Sequence, residues 1–221
     1  QIGAQIGIGA EELGKFTDTV VKFSLTTGVA AQEATLLLGR IAEMQDVPTS
    51  QMENLGSAIL ALGTASAATD EEILRINESI ATVGNVFGLS SQAVTGLAAA
   101  LATLRIRPEL ARGSLTRVFG EMDAAISEGG QSLEKLASLM NLTADGVVKL
   151  RKTDPDEFFL KFVEGLNKAG KDGGNFQQVL RELGINAVRD IDTFTRLANN
   201  LDVVTDSFEM SNKEWAKGTE L

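Results

Sequence analysis

Residues 9–66 and 69–126 carry the same pattern twice. Laid one beneath the other without a gap, at a spacing of 60 positions, they bring Glu11 and Glu12 onto Glu71 and Glu72, and Lys15 onto Arg75. Leu13, Phe16, Val20 and Phe23 meet Ile73, Ile76, Ile80 and Val83. Gly28, Gln32, Thr35, Leu37, Ala42, Pro48 and Leu55 meet Gly88, Gln92, Thr95, Leu97, Ala102, Pro108 and Leu115. Breakers and apolar positions align together, so the echo concerns architecture. A fixed internal period of this size marks a stacked or duplicated helical array.

Within the first copy, Leu13, Phe16, Val20 and Phe23 recur at steps of three and four, which places them on one helical face. Gly28 suits the left-handed stop after a helix, with Val29 packing back on the last turn. A second helix follows over 30–44, with Ala34, Leu37, Leu38, Ile41 and Met44 inward. Pro48 interrupts. Ser50 and Glu53 read as a capping box opening a third helix, whose stripe is Met52, Leu55, Ile59 and Leu62 and which Gly63 ends.

The second copy repeats the order. Thr69 and Glu72 form another capping box, and Ile73, Ile76, Ile80, Val83 and Phe87 face inward up to the turn at Gly88-Leu89. Ser90 or Ser91 caps the next helix, striped by Val94, Leu97, Leu101 and Leu104. Pro108 suits a first helical position, where its missing N–H costs nothing, and Leu115, Phe119, Met122 and Ile126 carry that helix to Gly129-Gly130.

The remainder reads as worn relatives of the unit. Leu133, Leu136 and Leu139 stripe a short helix, and Asn141-Leu142-Thr143 stands in for the Gly-apolar-Ser turn before Val147 and Leu150. Asp154-Pro155-Asp156-Glu157 is a strong start signal: an N-cap, a Pro at the first position, then acids in the first turn. Phe158, Phe159, Phe162, Val163 and Leu166 follow, and Gly170, Gly173 and Gly174 break that helix. Phe176, Val179, Leu180 and Leu183 precede a turn at Gly184-Ile185; Val188, Ile191, Phe194 and Leu197 come next, and Leu201, Val204, Phe208 and Trp215 mark a last helix. β-branched residues never alternate over a useful length, so no strand is predicted. The expectation is an all-α, multi-helix array built from a tandem three-helix unit of about sixty residues plus shorter degenerate units. Its predicted parts are a flexible lead-in over 1–8, three-helix units at 9–66 and 69–126, degenerate helical units over 129–200 packed on the same domain, and a terminal helix over 201–221 leading into the rest of a longer chain.

Composition narrows the chemistry. The formal charge is −10, from 20 basic and 30 acidic residues, and so acidic a chain repels phosphate backbones; no direct nucleic-acid binding is predicted. With no Cys and no His, disulfides, thiolate chemistry, the commonest metal ligand and the usual general base are all absent. No catalytic set, cofactor or metal site is predicted. Gly7-Ile8-Gly9 is followed by Gly14 and not by a glycine at dinucleotide-fingerprint spacing. Asp154, Asp156 and Glu157 complement a helix dipole and do not compose the six to eight oxygens that Ca²⁺ takes. No apolar run reaches the roughly 18–20 residues of a membrane helix. Gln1 opens without Met or a charged leader, which reads as an excerpt of something longer.

Two features stand out as partner contacts. Arg105, Arg107, Arg112 and Arg117 are the one basic cluster; they read either as a solvated corner or as a patch for an acidic protein partner. Trp215, the single Trp, is either core or an anchor against a neighbouring chain, where Trp is favoured.

The run Gly56-Ser57-Ala58-Ile59-Leu60-Ala61-Leu62-Gly63 and the following Asp70-Glu71-Glu72-Ile73-Leu74 resemble phage tail tape-measure proteins. So do Gly88-Leu89-Ser90, Ile106-Arg107-Pro108-Glu109-Leu110-Ala111-Arg112-Gly113-Ser114-Leu115, Asp154-Pro155 before Phe158-Phe159, Leu183-Gly184-Ile185 before Val188-Arg189, and Leu197-Ala198 before the last helix. The likeness runs in order from about residue 10 to the C-terminus. It implies a non-enzymatic virion component, lying in the tail lumen or at the tail tip, and in the bacterial host cytoplasm during assembly. Such a chain sets tail length while the tube polymerises around it and leaves ahead of DNA on infection. Implied partners are tail-tube, tail-tip or baseplate proteins and assembly chaperones, with self-association left open and membrane contact only through other parts of a longer chain. Two other readings stay open on the residues: a helical-repeat adaptor, and a helical peptidoglycan-hydrolase domain.

Overall fold

The computed structural model describes residues 12–172, 176–218 and 221. Among them the secondary structure is helical, with no strand: α1 Leu13–Thr27, α2 Ala31–Met44, α3 Met52–Ala65, α4 Asp70–Phe87, α5 Ser91–Thr103, α6 Pro108–Glu128, α7 Gly130–Leu139, α8 Ala144–Thr153, α9 Pro155–Lys171, α10 Phe176–Glu182, α11 Val188–Asn199 and α12 Leu201–Lys217. The all-α multi-helix array is therefore the observed fold class. The expected lead-in over 1–8, Gly173 and Gly174, and the Phe176 side chain lie outside the described residues.

The helix boundaries follow from local chemistry. Glycines at φ +76° (Gly28), +87° (Gly88) and +88° (Gly184) take the left-handed conformation that an L side chain resists. After Gly88 and Gly184, the N–H groups of Leu89 and Ile185 turn back to Gly84 and Leu180 carbonyls at 2.9 Å, and both apolar side chains are buried. Asn141, at φ +54°, makes the same turn without glycine, and Leu142 N–H reaches the Ala137 carbonyl at 2.9 Å. Asn tolerates this region better than most residues. Thr69 Oγ1 accepts the Glu72 N–H at 3.2 Å while Glu72 Oε2 accepts the Thr69 N–H at 2.9 Å, a complete capping box at α4. Ser90 caps α5, Thr143 caps α8, and Asp154 caps α9 with Pro155 at its first position.

Five expectations fail locally, the first being Gly170, which does not break α9: the helix runs through it to Lys171. Ser50 does not cap α3: Pro48 launches a short 3₁₀ turn over Thr49–Gln51, the helix proper begins at Met52, and Glu53 pairs with Lys22 instead. Gly63 does not end α3, which runs to Ala65; its bare Cα leaves room for the Asp70 carboxylate. Leu13, expected inward, sits at the solvent-facing start of α1 and is 39% exposed. Val188, also expected inward, is 77% exposed at the first position of α11, where the inward side is taken by Ile191 and Phe194.

The helices form two compact units, Gln1–Pro108 with Asp206–Leu221, and Glu109–Thr205. In the first, α4 packs on α2, α3 and α5, and α1 on α2 and α3. Its core is aliphatic, built on Leu38, Ile41, Leu55, Ile59, Ile73, Val94 and Leu97 with Phe16 and Phe23 at one end. The segment 206–221 belongs to this unit. Gly96 of α5 lets the backbone of Ser207 and Phe208 approach so closely that a Cβ would stand 2.9 Å from the Ser207 carbonyl oxygen. Ser211 Oγ donates to the Gln92 carbonyl at 2.7 Å, Asn54 Nδ2 donates to the Trp215 carbonyl at 2.6 Å, and the Leu221 side chain lies over Gly56.

In the second unit α9 is the hub, packed on α7, α8, α10 and α11. Its high aromatic content explains why: Phe158, Phe159 and Phe162 are fully buried. Phe159 meets Phe119 edge-on at 5.9 Å between centroids, and Phe162 meets Phe194 at 5.8 Å. Gly165 lies so close to α7 that a Cβ would collide with the Leu139 carbonyl.

Candidate functional site

Two helix ends in the first unit enclose a slot of about 280 Å³. Its floor is apolar: Ile76 of α4, Ala102 of α5, Ile106 and Pro108, the first three buried. Its lip is formed by the exposed residues Arg75, Arg105 and Arg107 together with the half-buried Glu72. The α5 C-terminus explains the shape. Arg105 sits at φ +57°, so the chain reverses there, Ile106 N–H returns to the Leu101 carbonyl at 3.0 Å, and the Ile106 side chain turns inward. A non-glycine residue held left-handed loses roughly 1–2 kcal/mol. The Arg105 side chain offsets part of this by reaching Glu72 Oε1 at 2.9 Å and the Ala67 carbonyl at 3.0 Å.

The charges at the lip are unequal. Arg75 is held by Glu33 and, at 3.0 Å, by Glu71. Arg105 is held by Glu72, whose carboxyl is kept below the usual carboxylate range first by the Thr69 backbone N–H and then by Arg105. Arg107 is exposed and makes no hydrogen bond or ion pair among the described residues.

The four arginines of the sequence cluster are divided. Arg105 and Arg107 lie in the first unit, Arg112 and Arg117 in the second. Arg112 is exposed on α6. Arg117 donates to Asp190 twice, Nε to Oδ2 and Nη2 to Oδ1, both at 2.6 Å, and its pKa is raised by that carboxylate. Asp190 is buried, and Ser114 Oγ donates to its Oδ1 at 2.8 Å. Trp215 is buried in the first unit, its Nε1–H directed at Gln51 Oε1 at 3.4 Å. Arg75, which completes the slot, was not among the predicted contacts; its one signal was that the repeat sets it on a second basic residue, Lys15.

A buried polar circuit also runs through the first unit. Gln45 Nε2 donates to Asn77 Oδ1 at 2.8 Å, Asn77 Nδ2 to Thr95 Oγ1 at 2.9 Å, and Thr95 Oγ1 to the Ser91 carbonyl at 2.8 Å. It joins α4, α5 and the end of α2, and a bonded polar chain of this kind fixes helix register. Asp154 caps α9, and the adjoining acids Asp156 and Glu157 occupy that helix's first turn. Among the described residues no group of three or more His, Cys, Asp or Glu side chains could hold a metal ion, and no helix is long and apolar enough to cross a membrane.

A family model described as phage-related minor tail protein matches residues 1–219 of the 221. Comparison with curated proteins and with solved structures gives no match. The match spans nearly the whole sequence, both compact units included. It is the family of a structural component of the phage tail: the chain belongs to the phage-related minor tail proteins.

Proposed function

We propose that this chain is a segment of a tape-measure protein, packed along the lumen of a phage tail, where its length sets tail length and from which it leaves ahead of DNA. The observation that carries the reading is the ordered series of tape-measure-like motifs inside a chain of the minor tail family. The apolar stripes are buried and the chain divides into two compact units, which supports modules that fold during synthesis and later unravel piecewise. In this role the partners are tail-tube, tail-tip or baseplate proteins and assembly chaperones, and the work is steric and not catalytic.

The test is an in-frame duplication or deletion of helical sequence in the phage gene, with tail length read by electron microscopy. At about 1.5 Å per helical residue, removing sixty residues shortens the tail by roughly 90 Å. Tails of unchanged length would reject the length-setting role.

A further inference from the structure

We propose that the slot beside Arg107 is a docking site for an acidic peptide segment of a partner protein: an apolar side chain fills it and a neighbouring carboxylate meets the Arg107 guanidinium. The inference goes beyond the tape-measure reading and does not depend on it.

The shape limits the occupant. About 280 Å³ lies just under the span of roughly 300–1,000 Å³ for small-molecule pockets, so the space suits one large side chain and little more. The floor of Ile76, Ala102 and Ile106 offers that side chain no buried polar partner.

Charge selects the rest. Acidic residues outnumber basic ones 30 to 20 in this chain, and the two neighbouring arginines are both engaged by carboxylates. Arg107 stands unneutralised at the mouth of the slot among the described residues. One unmatched cation beside an apolar socket is complementary to one carboxylate beside an apolar side chain. A polyanion would need several unengaged cations in a row, and Arg75 and Arg105 are not free to supply them.

The experiment uses the full chain with ¹³C-labelled Ile and Ala methyls. The probe is a pool of blocked pentapeptides with Leu, Ile, Phe or Met at the centre and Asp or Glu elsewhere, compared with the matched Asn/Gln pool. The acidic pool is expected to shift the methyls of Ile76, Ala102 and Ile106, and the amide pool to bind about tenfold more weakly. Arg107→Glu, with Trp215 fluorescence and helical content unchanged, should lower acidic-pool affinity by about tenfold or more; Ala102→Leu should fill the slot and abolish the shifts. Unmoved methyls, equal binding of the two pools, or wild-type affinity in Arg107→Glu would overturn the proposal. So would the same methyls moving with a single-stranded oligonucleotide, or on concentrating the chain alone.

Discussion

Arg117 and Asp190 meet through two parallel N–H···O bonds of 2.6 Å each, joining α6 to the first turn of α11. The carboxylate is buried while nearly half of the arginine side chain remains exposed. Removing one partner of a buried pair costs about 3–5 kcal/mol when both charges are enclosed; the exposure of Arg117 and the Ser114 bond place Arg117→Ala lower, at about 2–3 kcal/mol. Arg117→Lys should not restore it, since an ammonium cannot reproduce the two-pronged geometry. Hydrogen exchange in α11 reads the loss, because the only Trp lies in the other unit.

Asn77 is fully buried and bonded to Gln45 and Thr95. Asn77→Ala leaves the Gln45 Nε2 donor and the Thr95 Oγ1 acceptor unmatched. The expected loss is about 2–3 kcal/mol, read from urea unfolding by Trp215 fluorescence. Protection should fall in α4 and α5 and stay unchanged in α9.

Glu72 and Asp70 respond oppositely to pH. The depressed Glu72 carboxyl contributes stability above its unfolded value, and this is lost as pH falls through its folded value. Burial raises the Asp70 carboxyl, so just above the ordinary Asp range the folded chain keeps a proton that the unfolded chain has released, and stability falls as pH rises through that window. Asp70→Asn should therefore raise the urea midpoint of the first unit at pH 7, with the gain shrinking on acidification. Glu72→Gln should lower the midpoint at pH 7 and do nothing well below the carboxylate range. Parallel pH profiles of both variants with wild type would contradict this account.

A Cβ at Gly165 would meet the Leu139 carbonyl group first and the Leu139 Cγ next, so backbone and not only a side chain would have to move. Overpacking costs typically about 1–3 kcal/mol, and with the Leu139 carbonyl immovable Gly165→Ala should reach the upper end. Gly120→Ala, where nothing lies within 4 Å on the same unit, is the control and should be neutral or slightly stabilising. Thermal melts of both variants decide it.

Truncation after Thr205 should unfold the first unit and spare the second. It removes Phe208 and Trp215, both buried, at about 1.5–3 kcal/mol for each large side chain, together with the Ser211 and Asn54 bonds. That sum approaches the whole stability of a small domain. Hydrogen exchange should collapse across α1–α5 and persist in α9.

The sequence shows helix starts and stops well because they are backbone demands met by local residues. Gly88, Gly184 and Asn141 sit where φ must be positive, and Thr69, Ser90 and Asp154 sit where helix N–H groups need an acceptor. Ser50 misleads because Pro48 starts a 3₁₀ turn over Thr49–Gln51 that takes Ser50 in, so it does not stand at the N-cap of α3. Gly63 misleads because a stop and a close approach call for the same residue. What spans distance leaves no local mark: the Gln45–Asn77–Thr95 circuit, the grip of Arg117 on Asp190, and the membership of 206–221 in the first unit. For the candidate site, the sequence singled out Arg105, Arg107, Arg112 and Arg117 by their density and Trp215 by its singularity, and of these only Arg105 and Arg107 line the slot. It could not show that Glu72 engages one and leaves the other unmatched, which is what makes the slot selective.

The return of residues 206–221 to the first unit sets a schedule during translation. Residues 109–205 are contiguous, so the second unit is complete before residues 206–221 have cleared the ribosome. The first unit begins earlier yet finishes later, holding α3 and α5 uncovered along Asn54, Gln92 and Gly96 until Ser207, Ser211 and Trp215 are made. Throughout that interval the surface against which Phe208 and Trp215 become buried stays open to another polypeptide.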